Sequence, residues 1–402
     1  MSGLLATLLL LAGLAAQDPA PGDAPPAEAT AAAAEPVATP PPGLAEDLNA
    51  FADRHPAYAA VEELGTSRGG RAILALVLGA REAGDLDRRP GLALVGLGGE
   101  SERASELALA LARYVLDELT PEERERVLGS ATLYLIPQLD PDSPASPGAR
   151  DVRLERNFPI GWQPDTLVPG AGAVPLSEPE SKALATFLRG RTNLSLLLGL
   201  RGGQAELLPR AGTDGDAAVL NEPGAADAGD TKPRVTLWKP ARGSVAAYAW
   251  EALGVFPRLL EFRADELQSA ARRVAQLAQG LPRLRLTEPA VEMLRPGLYR
   301  LDVRIENPGR LPTLSDLGAE RRLAGEVELA IQGATVLACA HRAAEQSFEV
   351  QSRVEGRYSI GQIAGGGAVE LCVLVEAEAG TEITLSTRSP RAGMAGRSVT
   401  LP

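Results

Sequence analysis

Two glutamates at the start of a predicted helix are the side chains whose type and spacing first suggest chemistry. Glu100 and Glu102 follow a short apolar run and open a helical pattern that extends to residue 119. With a third acid they could hold a hard cation such as calcium or magnesium, which prefers oxygen ligands. They could instead act as negative charges that stabilise the helix N-terminus, and we favour this interpretation in a protein with a net charge of −12.

Histidine, a frequent ligand of transition metals, is almost absent. The 402 residues include only His55 and His341. A catalytic zinc site takes three protein ligands, usually with histidine among them, and leaves one position for water. Because no histidine lies between residues 56 and 340, the sequence excludes a site built from histidines in the middle of the chain.

The elements that must position these side chains alternate between short apolar runs and helical periodicity, which is typical of an α/β domain. Strands are expected at residues 72–78, 92–97, 132–136, 194–200 and 258–262. Helices are expected at residues 102–119, 178–188, 244–253 and 264–277. The run at 194–200 is apolar throughout, and this pattern indicates a central strand covered on both faces.

A different pattern begins in the last third of the chain. Segments such as 299–305 and 325–331 alternate apolar and polar residues between Gly, Pro and Asn, so we expect a small antiparallel β-sandwich over residues 288–402. The only two cysteines, Cys339 and Cys372, fall in strand-like runs of this unit. They could form a disulfide in an oxidising compartment or remain two buried thiols.

The N-terminal region predicts export to the periplasm or the exterior. An apolar run followed by small residues identifies residues 1–16 as a signal peptide, with an uncleaved anchor as the alternative, because no Lys or Arg precedes the run. Residues 17–43 are rich in Ala and Pro and are expected to form a disordered linker. The acidic charge argues against a nucleic-acid partner, and no later stretch is long and apolar enough to span a membrane.

Four short segments resemble motifs of the zinc carboxypeptidase family, of the carboxypeptidase A and B type. They are residues 65–71, similar to G-x-S-x-x-G-R; 139–143, similar to N-P-D-G; 154–159, similar to L-N-R-N-F-P; and 177–180, identical to S-E-P-E. Residues 307–313 are similar to the N-x-G-x-L-P-T of sandwiches appended to bacterial members. The shared order and spacing carry the resemblance. It implies a carboxypeptidase-like mixed sheet sandwiched by helices at residues 44–283, followed by the sandwich.

The resemblance also locates the metal site. The family holds zinc with a His and a Glu from an H-x-x-E turn and with a second His at the end of a central strand. Residues 99–102 place Glu102 at the Glu position and Gly99 at the first His position. Residues 198–204 are similar to S-L-H-S-Y-G-Q and place Leu200 at the second His position. Gly and Leu cannot bind a metal, so the resemblance implies a site that has lost its zinc.

A general base and a lid follow from the same resemblance. Residues 254–261 match the family segment that ends in the general base, so Glu261 occupies the position that takes a proton from zinc-bound water. Without a metal, Glu261 is expected to be idle, or to be a partly buried acid paired with an Arg. Trp238 aligns with the mobile Tyr that covers a bound substrate, and it is either an aromatic lid or a plug that fills the cleft.

The other expected substrate-binding residues are Arg156 and Asn157. Arg156 matches the family Arg that clamps the terminal carboxylate of a substrate, a task suited to the guanidinium fork. Glu155 replaces the usual Asn beside it and is expected to weaken that contact, either by repelling the carboxylate or by forming a local ion pair with Arg156. A further family Arg, which polarises the scissile carbonyl, corresponds to either Arg150 or Arg153.

These assignments favour an exported zinc-carboxypeptidase-like protein that is catalytically inactive, uses no cofactor, and binds peptides or cell-envelope material through the old cleft or the sandwich. A second hypothesis is an active hydrolase that removes C-terminal residues from peptides. It would use zinc or another metal in an altered site, or a non-metal mechanism built on Glu261, Glu100 and Glu102. A third hypothesis is a structural scaffold with no ligand at the cleft.

Overall fold

The structure is a computed structural model that describes most of the chain. The described residues are 43–82, 85–97, 101–142, 152–200, 233–237, 241–323, 325–342, 348–350, 353–354 and 357–402. The predicted signal peptide at 1–16 and the predicted linker at 17–43, apart from Gly43, lie outside them. So do four residues of the predicted site, namely Gly99, Glu100, Arg150 and Trp238.

A seven-stranded mixed sheet is built by the N-terminal part of the described chain. Its strands are β1 (Ala59–Thr66), β2 (Ala72–Leu78), β3 (Gly91–Val95), β4 (Thr132–Ile136), β5 (Leu194–Leu200), β6 (Arg234–Leu237) and β7 (Phe256–Glu261). They lie in the order β1-β2-β4-β3-β5-β7-β6. β3 is parallel to β4 and β5, and β5 is parallel to β7, whereas the remaining neighbours are antiparallel.

The centre of this sheet agrees with the sequence pattern, and its edges do not. Every residue of β5 is buried, because neighbouring strands and helices on both faces exclude water. The sequence did not predict β1 and β6, which lie at the two edges. An edge strand is open to solvent along one side, so β1 tolerates Glu62 and Glu63 and lacks a continuous apolar run.

Helices cover both faces of the sheet. They are α1 (Leu44–Arg54), α2 (Ser101–Arg113, continued by a π-helical turn at Tyr114–Glu118), α3 (Pro121–Leu128), α4 (Pro179–Gly190), α5 (Val245–Ala247, continued by a π-helical turn at Tyr248–Ala252) and α6 (Leu267–Gln279). α1, α2, α3 and α6 share one hydrophobic cluster with the sheet, and α4 and α5 share another. The predicted mixed sheet sandwiched by helices is thus confirmed. No helix among the described residues is long and apolar enough to cross a membrane.

The C-terminal part forms two antiparallel sheets that enclose a third hydrophobic cluster, which confirms the predicted sandwich. Its elements are β8 (Arg285–Leu286), β9 (Ala290–Arg295), β10 (Leu298–Glu306), α7 (Asp316–Glu320), β11 (Val327–Gln332), β12 (Thr335–Arg342), β13 (Phe348–Val350), β14 (Arg353–Val354), β15 (Arg357–Gly361), β16 (Ala368–Glu376), β17 (Glu382–Ser389) and β18 (Gly393–Thr400). One sheet has the order β13-β12-β16-β10-β8, with β9 also paired to β10, and the other has the order β14-β15-β11-β17-β18.

Strand register keeps the two cysteines apart. Cys339 on β12 lies opposite Val373 of β16, and Cys372 lies opposite Ala340. Because successive side chains of a strand point to opposite faces, this offset of one residue directs the two thiols to opposite sides of the sheet. Cys339 is buried in the sandwich core, Cys372 is half-buried, and both are free thiols.

One arginine of the sandwich is buried against the mixed-sheet part of the chain. The Arg391 guanidinium donates hydrogen bonds to the carbonyls of Leu253 and Gly254, just before β7. The Ser195 hydroxyl on β5 donates to the Arg391 carbonyl at 3.0 Å. Burial lowers the pKa of Arg391. The two parts therefore share polar contacts at a desolvated interface, while the boundaries expected from sequence, at residues 283 and 288, stay predictions.

Candidate functional site

Glu102 lies in the first turn of α2 and is exposed to solvent. The helix begins at Ser101, soon after β3, as the apolar run and helical pattern predict. A carboxylate in the first turn interacts favourably with the partial positive charge of a helix N-terminus. The exposed position fits this role, which the sequence favoured, and the use of Glu102 as a metal ligand stays the alternative prediction.

Leu200 is the last residue of β5 and is only 8% exposed. It lies opposite Leu260 of β7 in the parallel register. Both side chains belong to the hydrophobic cluster that also contains Phe262. The position expected to hold a metal ligand is therefore occupied by an aliphatic side chain packed against other apolar side chains.

Glu261 is the last residue of β7 and is half-buried. Its Cα lies opposite that of Arg234 on β6. Since alternate residues of a strand face opposite sides, Glu261 points away from the side on which Leu260 packs with Leu200. The Glu261 carboxylate and the Leu200 side chain are thus directed to different faces of the sheet.

An arginine ties the start of α2 to the end of β7. The Arg103 guanidinium donates a hydrogen bond to the Phe262 carbonyl and lies 4.9 Å from the centre of the Phe262 ring. Arg103 directly follows Glu102 in the chain, and Phe262 directly follows Glu261. The hydrogen bond therefore joins the segments that carry the two retained acids. Sequence reasoning missed Arg103 because nothing in the motif marks it.

Neither histidine can replace the missing ligands. His55 Nε2 lies 3.0 Å from Asp117, in the π-helical turn that continues α2. Asp117 follows Glu102 by fifteen residues in one continuous helix, which separates them by roughly 22 Å at 1.5 Å per residue. His341 lies on β12 of the sandwich, opposite Leu371.

The described residues consequently do not fit a zinc ion at the family's position. In the described part of the chain, one group of three or more His, Cys, Asp or Glu side chains is close enough to share an ion. It consists of Asp140, Asp142 and Glu180, so it includes neither Glu102 nor Glu261.

The acidic group is instead part of a hydrogen-bond network between the sequence motifs. Asp142 accepts from the Ser67 hydroxyl at 2.9 Å and from the Gly69 amide at 2.6 Å. Glu180 accepts from the Arg68 amide at 3.0 Å. Arg71 adds an ion pair with Asp142 at 3.7 Å. These bonds hold the turn between β1 and β2 against the segments around Asp142 and Glu180, which gives the carboxylates a structural role.

The S-E-P-E segment contributes a second acid to this network. Glu178 is buried and accepts from the Arg68 guanidinium at 3.0 Å. Sequence reasoning matched the motifs one by one and did not predict that they would meet. A signal was present, since the chain carries acid-Pro-acid at residues 140–142 and again at 178–180.

Asn157 is fully buried, and internal hydrogen bonds engage its side chain. Its amide nitrogen donates to the carbonyls of Ala171 and Val174 and to the Ser177 hydroxyl at 2.8–3.0 Å. Its amide oxygen accepts from the Glu178 amide at 3.2 Å. Asn157 thus positions the loop after the turn that carries Arg156, and a direct contact with substrate stays a prediction.

Arg156 retains donors for a ligand. It ends the short 3₁₀ helix Leu154–Arg156 and is half-buried. Its Nη1 donates to the Pro169 carbonyl at 3.1 Å. Among the described residues, no ion pair forms between Arg156 and the adjacent Glu155, so the expected local pairing is not seen there. Arg153 lies three residues earlier and is exposed.

Two protein families match the chain. Residues 44–233 match the family described as zinc carboxypeptidase. Residues 283–400 match a family described as domain of unknown function (DUF8731). A search of curated proteins finds no match.

Three solved structures are similar to this chain. Carboxypeptidase A from Helicoverpa armigera is 17% identical over 58% of this chain and 71% of its own, with a TM-score of 0.42. A metallo-carboxypeptidase from Burkholderia cenocepacia is 18% identical over 58% and 66%, with a TM-score of 0.41. Bovine thrombin-activatable fibrinolysis inhibitor, solved with tick carboxypeptidase inhibitor, is 13% identical over 59% and 95%, with a TM-score of 0.42.

The zinc carboxypeptidase match runs from α1 to the beginning of β6. It includes the four motif segments, Glu102 and Leu200, and it ends before Glu261. The loss of both zinc histidines rests on the alignment of the motifs and stays a prediction. The family expected from the motifs is confirmed: residues 44–233 of this chain match the zinc carboxypeptidase family.

Proposed function

We propose that this chain is an exported zinc-carboxypeptidase-like protein that does not hydrolyse peptides and instead binds peptides or cell-envelope material. The observation that carries the proposal is Leu200, an aliphatic side chain packed in the hydrophobic core at the end of β5. The family resemblance requires a metal ligand at this position. An alkyl group has no lone pair to donate, so the site is expected to bind no zinc.

The expected loss of zinc explains why we expect no catalysis. In a metallopeptidase, zinc supplies an acidified water and polarises the scissile carbonyl. Glu261 could still accept a proton from an ordinary water, but such a water is a poor nucleophile near neutral pH.

The binding part of the proposal rests on Arg156. One of its guanidinium nitrogens is held by the Pro169 carbonyl at 3.1 Å, which restricts the side chain and leaves its other donors for a ligand. A guanidinium group suits a carboxylate such as the C-terminus of a peptide. The neighbouring Glu155 repels that carboxylate, so we expect weak binding.

Export is proposed from the N-terminal pattern of an apolar run followed by small residues. The direct measurement is N-terminal sequencing of the protein recovered from the envelope fraction and from the culture medium. A mature N-terminus close to residue 17 supports cleavage of the predicted signal peptide. Recovery of the uncleaved chain in the cytoplasm would remove export from the proposal.

Metal analysis and a hydrolysis assay test the inactive state. The purified full chain is dialysed against zinc, analysed by mass spectrometry for bound metal, and incubated with peptides that carry free basic, apolar or acidic C-terminal residues. We expect far less than one zinc per chain and no release of C-terminal residues. Stoichiometric zinc together with chelator-sensitive release would overturn the proposal and establish the active hydrolase.

Binding is tested with matched arginine variants. Arg156→Ala should weaken the affinity for peptides with a free C-terminus by on the order of tenfold. Arg189→Ala, an exposed arginine in the last turn of α4, should leave the affinity unchanged. If the unmodified chain binds neither these peptides nor envelope fragments, the scaffold hypothesis replaces the proposal.

A further inference from the structure

β9 is an edge strand of the sandwich and carries exposed apolar side chains. It pairs with β10 on one side, and no strand in the described part of the chain pairs with its other side. Met293 is 54% exposed and Leu294 is 45% exposed. An edge of this kind presents unpaired backbone N–H and C=O groups to any extended chain that approaches it.

A cavity opens beside this strand. Its volume is about 540 Å³, within the range of about 300–1,000 Å³ that is typical of ligand sites. Its lining includes Met293, Pro296, Ala377 and Ala379. Tyr299 contributes a buried aromatic ring, and its hydroxyl donates to the Pro402 carbonyl at 3.1 Å.

The charges that line the cavity are all negative. Glu376 and Glu378 lie among its lining residues and are exposed, whereas no Lys or Arg is among them. On β9 itself, Glu292 is held by Arg300 at 2.9 Å, so it is already paired. Glu376 lies opposite Leu298, one position from the Tyr299–Val375 pair, so its side chain points to the other face of the sheet, as do the flanking residues of an added strand. Together with Glu378 it favours a ligand with positive charge next to an apolar group.

We propose that β9 and the adjoining cavity bind an extended peptide in which a bulky apolar residue is flanked by Lys or Arg. The peptide adds to β9 as a further strand, so that the backbone supplies most of the hydrogen bonds. The proposal rests on the peptide-binding part of the proposed function and assigns it a site in the sandwich. It does not depend on Arg156.

Strand geometry explains how the side chains are recognised. Met293 lies opposite Tyr299 of β10, so both side chains are on the face of the sheet that borders the cavity. A peptide residue opposite Met293 points to the same face and enters the cavity. The irregular register between Leu298 and Tyr299 leaves Leu294 without a partner on β10, and the regular edge is therefore limited to Ala290–Met293.

The test uses the full chain and synthetic ten-residue peptides with blocked termini, in which Lys alternates with Leu. Blocking both ends removes the free carboxylate that Arg156 would need. Calorimetry should show binding of this peptide, and a counterpart with Glu in place of Lys should not bind. A counterpart whose backbone nitrogens are methylated on alternate residues should also not bind, because it cannot complete the strand.

Variants locate the site. Met293→Ala should weaken binding of the Lys-Leu peptide about tenfold, since it removes much of a side chain that the peptide covers. Glu376→Gln combined with Glu378→Gln should weaken binding several-fold and reduce its salt dependence. Met394→Ala on β18, where the methionine is 57% exposed, should have no effect.

Three outcomes would overturn the inference. They are equal binding by the methylated peptide, equal affinity in Met293→Ala, and a dimer of the chain that dissociates in Met293→Ala, which would assign the edge to a second copy. Arg156→Ala separates this inference from the cleft. If Arg156→Ala abolishes binding of peptides with free C-termini and spares the blocked peptide, both binding sites are supported. If Arg156→Ala abolishes binding of both kinds of peptide, the site in the sandwich is refuted and the cleft site is retained.

Discussion

Arg391 offers the sharpest test of how the two parts of the protein depend on each other. Its guanidinium is buried and donates to the carbonyls of Leu253 and Gly254. Arg391→Ala removes both donors and leaves the two carbonyls without them. The hydrogen bond from the Ser195 hydroxyl to the backbone carbonyl of residue 391 does not involve the arginine side chain. The substitution therefore tests the contribution of the guanidinium group alone.

The cost follows from the unpaired carbonyls. Each buried carbonyl that loses its donor costs about 1–3 kcal/mol, so two cost about 2–6 kcal/mol. Part of this is offset, because the variant no longer buries a charge whose desolvation already lowers the pKa of Arg391. We therefore expect the free energy of unfolding to decrease by about 2–3 kcal/mol.

Urea denaturation followed by near-ultraviolet circular dichroism measures this change, and hydrogen exchange at residues 253–256 reports where it acts. The control is Arg388→Ala on β17, an exposed arginine that bonds to Glu328 at 2.7 Å. A surface ion pair contributes about 0–1 kcal/mol, so this variant should unfold almost as the unmodified protein does. Equal unfolding midpoints for the two variants would refute the argument.

Four further outcomes are expected. Asp142→Ala removes the acceptor for the Ser67 hydroxyl and the Gly69 amide. It should lower the free energy of unfolding, measured by urea denaturation, by about 2–4 kcal/mol. A similar loss in Asp53→Ala, on the exposed side of α1, would contradict a stabilising role of this hydrogen-bond network. Alkylation of the denatured, unreduced protein should label both Cys339 and Cys372, and a disulfide-linked peptide in the mass spectrum would be inconsistent with their register. In the native protein at pH 8, burial raises the pKa of both thiols, that of Cys339 to about 12, so labelling should be slower than for free cysteine and should accelerate as pH rises. Gly99→His combined with Leu200→His should restore zinc binding with Glu102, measured as one ion per chain against Leu200→Ala as control, and a failure to take up zinc would contradict the alignment of the metal positions.

The sequence predicted the central strands of the mixed sheet but not its two edge strands or the start of β7. The apolar run at Leu194–Leu200 predicted β5 because a strand covered on both faces must be apolar throughout. β7 begins at Phe256, before the predicted start, and includes Pro257. Proline cannot donate a hydrogen bond to a neighbouring strand, so its position inside β7 departs from the usual sequence pattern of a strand.

The sequence also predicted some features of the candidate site and not others. The motifs placed Glu102 at the start of a helix and Leu200 and Glu261 at strand ends, and the structure has them there. The sequence could not reveal that Asn157 would be saturated by the loop at residues 171–178. Nor could it reveal Arg103 at the Phe262 carbonyl, since both contacts join segments without a shared motif.

By itself, the sequence determined which chemical groups are available. It has no histidine between residues 56 and 340 and a leucine at position 200, and folding cannot change the identity of a side chain. Only the tertiary structure decided which groups meet: Ser67 bonds to Asp142 across 75 residues, and Arg391 to Gly254 across 137. The reason is that strand order and register bring distant segments together, and a shift of one residue would direct every side chain of a strand to the other face.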